Sequence, residues 1–280
     1  MQFRSHRVAA LALAVAPWAF CGQQPGWPKA DEPAPAATAG AQQTLADSQI
    51  QDIITKFAAK ETEFARAREN YTYRQAARVQ ELDTGGAVMG QWEMISDIIF
   101  SGEGKRTEHV VRAPTPTLRN ILLTPEDEQD LRNVQPFVLT TAEVPKYNVR
   151  YLGKQKADEV PCYVFAVKPK KMEKGQRYFQ GEIWVDDRDF QIVKSYGRGV
   201  GIVKGDNQFP KFETIRDQVD GKYWFPVWTN ADDVLYFQAG PQRIAMRVTY
   251  KDYKQFKADT SIQYGAPVES NPPASQPKKP

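Results

Sequence analysis

The sequence predicts an α+β fold: one strongly curved antiparallel sheet, or open (unclosed) barrel, of about ten to eleven strands wrapped around helices. Three observations predict it. Apolar residues recur at helical spacing from Ile50 to Ala65. From Tyr71 the apolar period switches to two, and the strand-like runs that follow are nearly all joined by turns of hairpin length. One stretch, residues 115–137, breaks the strand pattern and reads as a helical insertion.

The start of the chain sets the compartment. MQFRSHR followed by the apolar residues 8–20 has the layout of a secretory signal, and this stretch is shorter than the ~20 residues a spanning helix needs. The expected organisation is a signal peptide over 1–21, a disordered Pro/Ala-rich leader over 22–43, a folded domain over 44–258 and a disordered Pro-rich tail over 259–280. Cys21 is open to two readings: it is the lipid-bearing cysteine of a lipoprotein, or it is removed with the signal. Either leaves Cys162, in the strand-like run VPCYVFAV, as a lone buried thiol with no disulfide partner. The formal net charge is +3, and removing Arg4 and Arg7 with the signal leaves about +1, so nothing in the charge balance calls for nucleic acid.

Within the folded part, Ser48 with Gln51 three residues on makes a capping-box pattern. Ile50, Ile53, Ile54, Phe57, Ala58, Phe64 and Ala65 then form one stripe, with Lys56, Lys60, Glu61, Glu63, Arg66 and Arg68 assigned to the water-facing side. YTYRQAARVQEL, AVMGQWEMISDIIF and RTEHVVRAP form a three-strand meander, with SGEGK as its second turn. In the insertion, Thr124 before Pro125 and three acids starts a helix, and Leu118, Ile121, Leu122, Leu131 and Val134 form the inward side of two short helices. The remaining strands run from YNVRYLGKQ to RIAMRVTYKDYKQF. Several carry apolar residues on both faces; in EIWVD, Ile183 and Val185 point one way and Trp184 the other.

Candidate chemistry is sparse. Asp186, Asp187 and Asp189 crowd around Arg188, but between EIWV and FQIV they fit a hairpin turn, where Asp side chains bind nearby backbone N–H groups. The only histidines are His6 and His109, so neither a metal site nor a His-based catalytic set suggests itself. Asp232 and Asp233 read as solvated turn acids rather than partners of the 186–189 cluster. There is no nucleophile elbow, phosphate loop or dinucleotide glycine pattern, and no cofactor is expected.

The stretch CYVFAVKPKKMEKGQRYFQGEIWVDDRDFQIVKSYG, with FPKFETIRDQVDGKYWFPVWTNADDVLYF behind it, resembles the outer membrane lipoprotein-sorting proteins of the LolA-like superfamily. The shared pattern is an aromatic-aliphatic strand ending in K-P-K, a strand ending W-V-D, a turn, and a strand carrying I-V-K; it runs over residues 50–257. The resemblance implies an unclosed antiparallel barrel, lidded by helices, that cradles acyl chains in the periplasm or at the outer membrane. The carriers' Arg-Pro dipeptide near the end of the second strand is missing, because that strand ends IIFSGEGKR.

A non-enzymatic binder of lipoprotein acyl chains or lipid is the leading expectation. Burial of acyl chains by a carrier is physically required, since each methylene left in water costs about 0.8 kcal/mol. The cavity candidates are Trp92, Ile98, Phe100, Trp184, Tyr196, Trp224, Trp228 and Phe237, and the lid candidates are Leu118, Ile121, Leu122 and Leu131. The second expectation is an envelope sensor or docking module that uses the same fold to bind a membrane-protein partner. An enzyme ranks third.

Overall fold

A computed structural model describes residues 45–100, 106–202 and 208–255; the signal, Cys21, the leader, the SGEGK turn and the tail lie outside the described residues. Helix α1 (Asp47–Arg68) leads into β1 (Tyr71–Leu82), β2 (Val88–Phe100) and β3 (Arg106–Arg112). A long strap, residues 113–146, follows and carries the one-turn helix α2 (Pro125–Gln129). Strands β4 (Tyr147–Ala157), β5 (Val160–Pro169), β6 (Tyr178–Asp186), β7 (Ile192–Val200), β8 (Phe212–Val219), β9 (Tyr223–Phe237) and β10 (Gly240–Gln255) complete the described residues.

All ten strands form one antiparallel sheet in the order β3-β2-β1-β10-β9-β8-β7-β6-β5-β4. The first and last strands in sequence meet in its middle, with Val79 opposite Met246. The sheet is not closed, and its free edges are β3 and β4, the two strands that the strap connects. This is the unclosed sheet with a long helix that the sequence predicts, at the lower end of the expected strand number.

Helix α1 is capped two residues before Ser48, the cap that the sequence pattern marks. Ala46 is the cap residue, and its N–H donates to Gln49 Oε1 at 2.9 Å, so Ser48 lies inside the first turn. The stripe packs on the inner face of the sheet as its spacing dictates. Phe57 lies 5.4 Å from the Phe165 ring on β5, and Phe64 meets Phe225 on β9 edge-on at 5.1 Å. Glu61 corrects the sequence reading. It belongs to the same stripe as Phe57 and Phe64 and is fully buried, where its carboxylate pairs with Arg216 on β8 at 3.0 Å and accepts the Ile192 N–H.

The turns follow local rules. Asp220 and Gly221 both have positive φ, 55° and 65°, which makes the β8–β9 connection the Asp-Gly hairpin turn that suits the twist of the strands. At the β6–β7 turn, Asp186 Oδ1 accepts the Arg188 N–H, Asp189 Oδ1 accepts the Gln191 N–H, and Asp187 pairs with Lys154 at 2.9 Å. All three carboxylates are taken up by the turn and its neighbours. Asp232 and Asp233, in contrast, are not turn acids: both lie within β9, where Asp232 pairs with Arg243 on β10 and Asp233 Oδ2 accepts the Lys211 N–H.

The doubly apolar strands find cover on both faces. On the inner face, Ile183 and Val185 join the main core with α1 and the strap. On the outer face, Cys162, Val164, Trp184 and Val193 form a separate cluster over which Trp224 packs. Trp184 and Trp224 serve as its roof, with their indole N–H groups donating to Gln155 and Asp189.

Candidate functional site

The strap forms the site. Thr117 exchanges backbone and side-chain hydrogen bonds with Gln91 of β2 at its start. Next, the buried carboxylate of Glu81 on β1 accepts three consecutive N–H groups, those of Arg119, Asn120 and Ile121, at 2.6 to 2.9 Å. Asn120 also donates to Gln242 of β10 at 2.8 Å. The strap continues to Thr124, whose hydroxyl caps α2 through the Asp127 N–H while Asp127 Oδ2 accepts the Thr124 N–H in return. After α2 the chain makes a π turn, closed by Gln135 N–H to Asp130 C=O at 2.9 Å. Phe137 then stacks on Phe179 of β6 at 4.5 Å. The second helix of the insertion is therefore this π turn, and residues 113–123, where an earlier helix was expected, are irregular. Glu81 satisfies the N–H groups of residues 119–121 there in place of helical carbonyls.

Between the strap and the inner face lies a cavity of about 280 Å³. Its floor is Val79 of β1, Ile244 and Met246 of β10, Leu235 and Phe237 of β9, and Phe212 of β8. Its roof is the strap from Asn120 to Gln135, with Leu131 buried and Leu122 85% exposed at the mouth. Gln208, Phe209 and Pro210 make one side wall.

One end of the cavity is polar. Asp130 forms a two-point ion pair with Arg177, at 2.6 and 2.8 Å, and both side chains are nearly sealed from water. Burial pushes the Asp130 carboxyl up to about 6 against the opposing pull of Arg177, and burial likewise raises Asp127. A glycine at 199 is what admits this pair: a Cβ there would lie 1.9 Å from Asp130 Oδ2. Gln135 donates to Met246 Sδ at 3.2 Å, while its Oε1 is buried with no partner. The site thus offers an apolar slot with polar groups gathered at one end and no nucleophile paired to a base.

The predicted residues are placed as follows. Phe237 lines the cavity, and so do Ile121, Leu122 and Leu131 of the strap. Leu118 is partly buried on the strap, outside the lining. Trp92 packs against the main core, and Ile98 and Phe100 are buried along β2. Trp184 and Trp224 belong to the outer cluster, Tyr196 is 38% exposed on β7, and Trp228 is partly buried on β9. The structure does not bring Leu118 or these seven cavity candidates to the cavity lining. Residues that the sequence reading did not single out, Val79, Leu235, Ile244 and Met246, make most of the floor. Their signal was strand alternation on β1, β9 and β10, which sets them on one face.

No family model matches the sequence, and no curated protein does. Among solved structures the chain is similar to a domain described as an outer membrane lipoprotein-sorting protein from Vibrio parahaemolyticus, at 11% identity over 75% of this chain and 95% of that one, TM-score 0.34. It is also similar to a DUF1329 family protein from Desulfovibrio piger, at 13% identity over 71% and 93%, TM-score 0.36. A third is MucB, at 11% identity over 74% and 94%, TM-score 0.26. These likenesses give no residue of this chain a role.

Proposed function

We propose that this protein binds the hydrocarbon tail of a lipid or lipoprotein in the cavity beneath the strap, and moves or presents that tail in the periplasm or at the outer membrane, without catalysis. The observation that carries the reading is an apolar void of about 280 Å³ left between the sheet and a strap hung on hydrogen bonds to Glu81. A void of this size approaches the ~300 Å³ at which ligand pockets begin, and it is nearly twice the ~150 Å³ that accepts a benzene ring. It suits one alkyl chain. A passenger with two or more acyl chains would need the strap to lift.

The energetics suit a carrier. About seven buried methylenes would supply roughly 6 kcal/mol, an affinity between millimolar and micromolar, which permits release. Native mass spectrometry of the purified chain with a fluorescent fatty-acid probe tests the reading. A one-to-one complex, displaced by unlabelled fatty acid, is expected; no binding and no lipid carried through purification would overturn it.

One observation favours the second reading, a docking module for a membrane-protein partner. Edge strand β3 exposes Val110 and Val111 beside an unpaired row of backbone groups. In that case Val110→Lys would abolish partner binding and leave probe binding intact.

A further inference from the structure

One corner of the sheet's outer face gathers positive charge. Asn148 on β4 stands opposite Lys168 on β5, and Gln180 on β6 stands opposite Arg198 on β7. Val167 pairs with Gly181, so one step on Lys168 comes level with Gln180, and the four positions make one row. The row lies on the outer face, because its strand neighbours Tyr147, Val167 and Phe179 all point into the main core. Arg150 follows Asn148 on the same face of β4, and the β5–β6 turn adds Lys170, Lys171 and Lys174. All six cations are exposed.

Little nearby cancels this charge. Lys170 Nζ donates to the Pro145 carbonyl at 2.9 Å, which leaves its charge in place, and none of the six has an ion-pair partner among the described residues. Glu143 is taken by Lys146 at 2.8 Å. Glu173 on the turn and Glu182 on β6 remain, so six cations against two carboxylates leave four net positive charges at one corner of a chain whose whole formal charge is +3. Adjacent strands lie about 5 Å apart, so the row spans roughly 15 Å, and neighbouring charges fall within the ~10 Å over which 0.1 M salt screens. They act on a partner together. An apolar residue stands among them: Lys174 bridges to Ile202, just past β7, and Ile202 is 56% exposed.

We propose that this corner docks the protein on an anionic phospholipid bilayer, with the lysines among the headgroup phosphates and Ile202 at the acyl boundary. The inference goes beyond tail binding and does not rest on it. Four of the six cations are lysines, flexible point charges without the fixed fork of a guanidinium, and they suit a fluid array of phosphates better than one shaped partner. An exposed aliphatic side chain beside basic ones is the combination that a membrane surface takes up.

The test sediments residues 22–280, which lack the apolar start and Cys21, with vesicles of phosphatidylcholine alone or with about a third phosphatidylglycerol, in about 0.1 M salt. Partition onto the anionic vesicles is expected to be about tenfold or more stronger and to fall steeply with added salt. The triple variant Lys168→Gln, Lys171→Gln, Lys174→Gln should lose about tenfold or more of that partition with its circular dichroism spectrum unchanged. An equal change of charge on β10, five strands from β5, is the control: Arg247→Gln, Lys251→Gln, Lys254→Gln should lose no more than about twofold. Equal partition onto both vesicles, or equal losses in the two variants, overturns the docking site. So does a corner that binds soluble polyglutamate and no vesicle, which would assign it to an acidic polypeptide. None of these outcomes bears on fatty-acid probe binding, which is read separately.

Discussion

Glu81 and Ile121 are joined by a 2.7 Å hydrogen bond from the strap's backbone N–H to a carboxylate that no water reaches. The same carboxylate also holds the two preceding N–H groups, so one side chain of β1 fixes the roof of the cavity. Glu81→Gln replaces an acceptor oxygen with a donor that faces other donors. We expect a loss of about 2–3 kcal/mol in urea unfolding and faster amide exchange at residues 119–121. Unchanged protection there would contradict the role of Glu81.

Glu61 and Arg216 are each other's partner inside the core. Removing one charge strands the other, so Glu61→Leu should cost about 3–5 kcal/mol. The double variant Glu61→Leu, Arg216→Met should recover most of that loss. Additive losses in chemical unfolding would show that the two charges do not act as a pair.

Asp130 contributes a pH dependence of defined sign. Its folded value of about 6 lies above the ordinary ~3.9 of a free Asp, so the folded state holds the proton more tightly. Its contribution to stability is fully present below about pH 4 and is lost as pH rises through 6. The charges around it are Arg177, just before β6, and Asp127 and Glu126 from α2. The stability of the wild type minus that of Asp130→Asn should therefore fall between pH 4 and 6, by at most about 3 kcal/mol. A difference that rises with pH would refute this.

Filling the slot should block binding. Leu235→Trp places an indole where the tail would lie, and we expect fatty-acid probe affinity to drop about tenfold or more with the circular dichroism spectrum unchanged. Trp184→Ala strips the outer cluster instead. It should lower stability by about 3 kcal/mol or more and leave probe affinity unchanged.

The Cys162 thiol is buried, and burial pushes it up to about 12. In a Cys21→Ser chain, a thiol reagent should label nothing in buffer and one group in denaturant. Rapid labelling of the native protein would contradict the packing of the outer cluster.

Much of the fold was legible because its signals are local. The α1 stripe, the switch of period at Tyr71, the Thr124–Pro125 helix start and the Asp186–Asp189 turn each depend on a few neighbouring residues. The cavity depends on which distant strands adjoin. Val79 and Met246 come together only because β1 pairs with β10, and nothing near either residue encodes that pairing. Size was also a poor guide to the inner face. Alternation already set Trp184 opposite Ile183 and Val185, and those two went to the core, which left the indole outside. Glu61 was misread by residue type, although its place between Phe57 and Phe64 on the stripe marked it as inward.

The place of β10 also governs the order in which the molecule is completed. Until residues 240–255 have been synthesised, β1, β2 and β3 have no partner beyond themselves, and the six strands from β4 to β9 form a separate ribbon. The last strand is the seam between these two pieces. Pairing across so long a sequence separation slows folding, and it exposes both raw edges to aggregation in a nascent or truncated chain. Premature termination just before Gly240 would therefore yield two sticky fragments on one thread rather than a slightly weakened protein.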